Sequence, residues 1–207
     1  MEFTEVVRRR RMVRRFDPDR PVDRNAVRRA LGAAMRAPSA GHTQGWDFVV
    51  LDTHERRQHF WAATADREPD AWLLGVSAAP TLIVCCSNPE AYLDRYAEAD
   101  KGWTDRNLDR WPIPYWDVDT GMAALLLLPS AVDQGLGALF FGVPASAHDE
   151  VRLALGIPQT RRIVGVVALG HEARRVTSPS LRRGRRPFED AVHWGAFGES
   201  VPGGHSG

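Results

Sequence analysis

Lysine is nearly missing from this chain: Lys101 is the only one, and arginine carries almost all of the positive charge. The formal net charge is +1, so the overall basic excess that general nucleic-acid or membrane-surface binding would show is absent. Cysteine is nearly missing too. Cys85 and Cys86 are adjacent inside the apolar run TLIVCC. Neighbours on a strand point to opposite faces, which argues against a disulfide or a metal pair there and for inert buried thiols in a reducing compartment. No apolar run reaches membrane-spanning length, and the start lacks the charged head, apolar middle and cleavage pattern of a secretory leader. A cytoplasmic protein is expected, with no membrane, nucleic-acid or metal partner.

What is present suits one domain over residues 1–207, with a flexible tail from about residue 198. Hydrophobic residues make up 43% and charged residues 26%, the balance of a soluble globular chain. Thr4 is the expected cap of a short helix over Phe3 to Arg11. Val27, Ala30, Leu31, Ala34 and Met35 recur at helical spacing between Asp23 as cap and Pro38 as terminator. DFVVL, TLIVCC, ALFFGV and RRIVGVVALGH read as strands. Helices are expected after Thr53, after Asn88-Pro89, and over the capping box Ser146 to Asp149 that runs to Gly156. The apolar stretch DTGMAALLLLPSAVDQG predicts a helix with Asp119 as a cap candidate and a kink or break at Pro129. Residues 100–117 show no period and carry Trp103, Trp111, Tyr115 and Trp116, the character of a lid or binding loop. Strands and helices alternate loosely, which leaves α/β and α+β both open.

Two arginine clusters stand out. RRRRMVRR places six arginines in eight positions from Arg8 to Arg15, and LRRGRRP spans Leu181 to Pro187. The plain alternative is a solvated surface. No aromatic-interleaved or helix-turn-helix pattern supports a nucleic-acid patch. A discrete phosphate site is the third reading, since two or three forked guanidiniums match a phosphate monoester dianion.

RRMVRRFDPDRPV followed by AAMRAPSAGHTQGWDFVVL resembles the opening of the nitroreductase family of flavin enzymes. That opening commonly runs Arg-(Arg or His)-Ser-x-(Arg or Lys)-x-(Phe or Tyr), and later Ala-Pro-Ser-x-x-x-x-Gln-Pro-Trp. DVDTGMAALLLLPSAVDQGLGALFFGVP is similar to the family's central dimer helix and the strand after it, and RRGRRPFEDAVHW to its phosphate-binding tail. Four stretches in the family's order cover nearly the whole chain.

The resemblance implies an α+β, three-layer fold with a mixed, mainly antiparallel sheet, in an intertwined homodimer with exchanged C-terminal arms. It implies FMN at the subunit interface, reduced by NADH or NADPH, then a ping-pong reduction of a small acceptor such as a nitroaromatic or quinone. By the same resemblance Arg10, Arg11 and Met12 hold the phosphate and ribityl end, and Arg14 sits at the N1 and C2-oxygen edge. Pro38, Ser39 and Ala40 from the other subunit line the ring and ribityl chain. Leu139, Phe141 and Gly142 face the ring near N5, and Arg183 and Arg185 close on the phosphate. A fixed cation at Arg14 would stabilise the charge that hydride arrival leaves on that edge. Met12 stands where serine is usual, Gly45 where proline is common, His42 where asparagine is frequent, and Phe141 where some members have glutamate.

For Trp103, Trp111, Tyr115 and Trp116, ordinary packing competes with a cover that stacks planar acceptors. Pro38-Ser39 alone could be a helix-ending turn, and His171 reads as a surface or satisfied histidine. Two other roles share the cofactor: a biosynthetic dehydrogenase or deazaflavin-linked reductase, and a non-catalytic protein that sequesters FMN.

Overall fold

The strand Thr81–Ser87 is buried at every position, and such a strand needs cover on both faces. A computed structural model of the chain, which describes residues 1–65, 70–175 and 177–199, provides that cover. Four strands, β1 (Trp46–Leu51), β2 (Thr81–Ser87), β3 (Gly137–Phe141) and β4 (Arg162–Gly170), form one sheet in the order β1-β2-β4-β3. All three pairings are antiparallel. An isolated parallel bridge from Met12 to Ala138 makes the sheet mixed but mainly antiparallel.

Side-chain alternation divides the core into two layers. Leu82, Val84, Cys86, Leu139, Phe141, Val166 and Ala168 point one way. They meet α3 (His54–Ala63), α4 (Ala71–Ser77) and α7 (His148–Leu155) through Phe60, Val76 and Val151. Ile83, Cys85, Ala138, Val167 and Leu169 point the other way, onto α2 (Arg24–Ala34) and α6 (Tyr115–Asp133). The two cysteines thus lie on opposite faces, both buried and free. Burial holds both thiols protonated, Cys86 pushed up to about 11 and Cys85 further. This is the α+β, three-layer arrangement the motifs imply.

The chain divides into two compact units, Met1–Arg175 and Val176–Gly207. The first holds the sheet, α1 (Phe3–Arg9) and α5 (Pro89–Ala97). The second contains the short 3-10 turn Pro179–Arg183. The tail expected from about residue 198 lies mostly outside the described residues. No described helix is long and apolar enough to cross a membrane.

Three of the expected caps form. Asp23, Thr53 and Asn88 each cap a helix, accepting from the backbone N–H of Asn25, Arg56 and Ala91. Other expectations need correction. Helix α1 starts at Phe3, so Thr4 lies inside its first turn and does not cap it. Ser146 is taken up in the 3-10 turn Ala145–Ala147, so α7 begins at His148 behind Ala147, with no side-chain cap and no capping box. Helix α6 runs unbroken through Pro129 for 19 residues. The proline removes one backbone bond, while its neighbours Leu127, Leu128 and Ala131 are buried in the core and keep the helix intact. Helix α6 also begins before the expected point, at Tyr115, so Asp119 lies in its second turn and is no cap. Helix α4 went unforeseen although Asp70 caps it, accepting from Leu73 N–H.

Candidate functional site

Val13 and Phe16 are buried, and they draw the segment between them down onto the sheet edge. Val13 N–H donates to Ala138 carbonyl at 2.9 Å, and Phe16 N–H to Gly75 carbonyl at 3.2 Å. Asp17 N–H donates to His171 carbonyl at 2.9 Å, just past β4. Arg14 is therefore carried on a backbone held from both sides. Its guanidinium is half-buried, donates to Met12 carbonyl at 3.0 Å and forms no ion pair among the described residues. Gly75 makes this approach possible, since a Cβ there would lie 2.2 Å from the Arg14 carbonyl oxygen.

Upstream, Arg8, Arg9, Arg10, Arg11 and Arg175 line a basic cleft of about 300 Å³. Their charges are not equally available. Arg8 is paired with Glu5, and Arg11 is turned onto Glu172 at the end of β4. Arg11, expected with Arg10 and Met12 at the phosphate and ribityl end, lines the cleft while its exposed guanidinium rests on Glu172. Arg10 and Arg175 form no ion pair among the described residues. Arg175 was not foreseen; the signal available was the arginine doublet Arg174-Arg175 shortly after the strand end. Arg183 and Arg185 belong to the second unit, both exposed, Arg183 closing the 3-10 turn and Arg185 following Gly184.

Leu139 and Phe141 alternate on β3 toward α3 and α4, so their side chains are core. Phe141 stacks on Trp61 with centroids 5.7 Å apart and planes 9° apart, and meets Trp72 edge-on at 5.8 Å. What this strand end presents outward is the exposed Gly142, beside a cleft of about 180 Å³ lined also by Phe60, Thr64 and Trp72. Phe141 also lines that cleft, while Leu139 is buried in the core.

The loop Pro38 to Gly45 is strongly bent. Gly41, His42 and Gln44 have φ of 62°, 56° and 54°. Ser39 Oγ accepts from Gln44 N–H at 2.9 Å, and Thr43 Oγ1 donates to Ala40 carbonyl at 2.6 Å. Ala40 N–H donates to Asp119 Oδ2 at 2.8 Å, and Tyr92 Oη donates to the same oxygen at 2.8 Å. Burial first, then the bond to Asp119, keeps the Tyr92 phenol protonated. Gly45 fits because the Tyr92 ring lies against it: a Cβ there would come within 2.4 Å of Cε2. A proline at this position would collide with that ring.

The four loop aromatics part company. Trp111 and Trp116 are buried in a satellite core with Tyr92 and Leu93, which is the packing alternative. Trp103 is half-buried, 5.5 Å from Trp111, and Tyr115 is exposed. Of the four, Trp103 and Tyr115 keep surface for a ligand.

Fold and site define an α+β protein with a basic cleft leading to the edge of a covered antiparallel sheet. The comparison with known sequences narrows this: residues 7–171 match the profile of the nitroreductase family, and the chain belongs to that family. The NADH dehydrogenase of Thermus thermophilus is 31% identical over 206 residues, spanning 90% of this chain and 92% of that protein. A nitroreductase family protein from Streptococcus pneumoniae TIGR4 superposes with a TM-score of 0.70 at 22% identity, covering 93% of this chain and 100% of that one. A protein from Exiguobacterium sibiricum 255-15, solved in complex with FMN, gives a TM-score of 0.71 at 20% identity, covering 94% and 97%. The chain is an oxidoreductase of this family.

Proposed function

We propose that the protein is a cytoplasmic, FMN-dependent NAD(P)H oxidoreductase that reduces a small, planar aromatic acceptor such as a nitroaromatic or a quinone. The observation that carries this reading is the cleft of five arginines at the head of the segment that carries Arg14 along β3. Its donor set fits a phosphate monoester: Arg10 and Arg175 offer forked, permanently charged donors without a carboxylate partner among the described residues. The relative from Exiguobacterium sibiricum, solved with FMN, supports the choice of ligand. When bound, FMN would accept a hydride from NADH or NADPH and release the electrons to the acceptor in ping-pong order.

This chain's residues supply holding and electrostatics. In this reading Arg10 and Arg11, with Arg175, neutralise the phosphate, and the Met12 backbone borders the ribityl end. Arg14 offers a cation that cannot titrate, at the edge where negative charge develops. Pro38, Ser39 and Ala40 would line the ring and ribityl chain from a second subunit, Leu139, Phe141 and Gly142 would face the ring near N5, and Trp103 and Tyr115 would stack the acceptor.

A homodimer is part of the same proposal. Tyr115, Val118, Met122, Leu125, Pro129 and Val132 fall at alternating spacings of three and four along α6, the stripe of a helix–helix seam. Tyr115, Val118 and Leu125 on it are exposed, as are Phe3 and Val7 on the adjacent α1.

The test is direct. The purified protein should be yellow, release FMN and not FAD on heating, and oxidise NADH or NADPH when given a nitroaromatic or quinone. A colourless protein that takes up no added FMN would overturn the reading. A yellow one that consumes neither nicotinamide would move it to the dehydrogenase, deazaflavin or sequestering roles.

A further inference from the structure

We propose that Asp119, acting with Tyr92, is the positioning group that sets the Pro38–Gly45 loop in its ligand-lining shape. The proposal rests on the reading above, in which Pro38, Ser39 and Ala40 line the flavin.

The loop does not hold its shape by itself. Two non-glycine residues, His42 and Gln44, sit in the left-handed region beside Gly41. Each such residue costs about 1 kcal/mol or more, and persists only when its surroundings over-determine it. The surroundings here are α5 and α6. Asp119 Oδ2 receives Ala40 N–H and Tyr92 Oη, both at 2.8 Å. The Tyr92 ring meanwhile fills the space beside Gly45, so the hydrogen-bonded pair Asp119 and Tyr92 restrains both ends of the bend. Arg95 Nε closes the middle with a bond to Gly41 carbonyl at 2.9 Å.

Asp119 is an expensive way to tie a loop. It is 1% exposed, faces inward from a helix with a largely apolar middle, and forms no ion pair among the described residues. Burying a carboxylate without a counter-charge is unfavourable unless strong donors converge on it. Both donors found here converge on one oxygen of the Asp119 carboxyl group, each at 2.8 Å. Neither donor can withdraw: one is a backbone amide, the other a phenol that burial and Asp119 keep protonated. The strained bend and the buried carboxylate therefore belong to one device, and its output is the position of the Ala40 amide and the two residues before it.

The experiment compares the parent with Asp119→Ala, Asp119→Asn, Tyr92→Phe and, as a control for lost stability alone, Val151→Ala on the opposite face of the sheet. Each is stripped of flavin and titrated with FMN, and amide exchange at Ala40 is followed by NMR without FMN. Asp119→Ala should bind FMN about tenfold or more weakly and speed Ala40 exchange about tenfold beyond the control. Asp119→Asn keeps an acceptor and should return to within roughly threefold of the parent, and Tyr92→Phe should fall about threefold. FMN affinity and Ala40 exchange in Asp119→Ala that follow Val151→Ala would overturn the positioning role and leave the cofactor reading standing. A parent that binds no FMN would overturn both.

Discussion

Gly75→Ala joins stability and chemistry at one atom. The added methyl would lie 2.2 Å from the Arg14 carbonyl oxygen, where ordinary contact begins at 3.4 Å, so the two must separate by about 1.2 Å. The obstacle is backbone and not the end of a flexible side chain. Val13 and Phe16 are buried on either side of it, and Phe16 N–H is bonded to Gly75 carbonyl, so the segment cannot withdraw without disturbing both. Helix propensity favours alanine by about 0.8–1 kcal/mol. Overpacking costs about 1–3 kcal/mol, and weakening the Phe16 bond adds about 1. The net expectation is a loss of about 1–3 kcal/mol in urea unfolding. The displacement is about 1 Å at the segment that carries Arg14, and errors of that size at a reacting centre cost on the order of a hundredfold in rate. Stopped-flow reduction of the loaded protein by its better nicotinamide donor reads this. Gly32→Ala, at an exposed position of helix α2 with nothing within 4 Å of the new methyl, calibrates propensity and should gain about 0.5–1 kcal/mol. If both alanines stabilise alike and reduction keeps the parent rate, the close approach does not exist and Arg14 is not held as described.

Arg14→Ala should slow flavin reduction about a hundredfold while changing FMN affinity much less, and Arg185→Ala should do the reverse. If both variants bind and turn over like the parent, the residue roles are wrong. Leu125→Asp places a charge on the α6 stripe of both subunits and should cost roughly 3 kcal/mol or more per dimer. Sedimentation should then show monomer, and an unchanged dimer would remove α6 from the interface. Stability should fall at alkaline pH. The buried thiols and Tyr92 are held protonated in the fold, above their ordinary values of 9.0 and 10.0. The unfolded chain loses those protons first, so the contribution is whole below about pH 9 and declines as pH rises, through about 11 for Cys86. Each group adds a slope of up to about 1.4 kcal/mol per pH unit, read from urea midpoints. Cys85→Ala should flatten the first part of the decline, and a flat profile in the parent would show that the thiols are not buried as described.

Much of this molecule is written in short stretches of chain. Asp23, Thr53 and Asn88 cap their helices because the amide each serves is two or three residues away. The neighbouring cysteines point apart because a strand alternates. The family could be read because its motifs recur in order, each a local pattern. Tertiary structure decided what depends on which distant element arrives. Asp119 looks like a cap until α6 is seen to begin at Tyr115, which turns it inward to meet Tyr92 and Ala40. Pro129 looks like a break until Leu127, Leu128 and Ala131 beside it are seen buried in the core, holding the helix through it. Arg11 and Arg10 are adjacent and chemically identical, yet Glu172, brought in by the end of β4, occupies one and leaves the other. Arg175 enters the basic cleft by the same route, and Trp111 and Trp116 leave the candidate lid because Tyr92 and Leu93 bury them. Caps and helix turns close over a few residues and can be read in order. Side-chain partnerships here span up to 161 residues of chain, and only the folded sheet brings their two ends together.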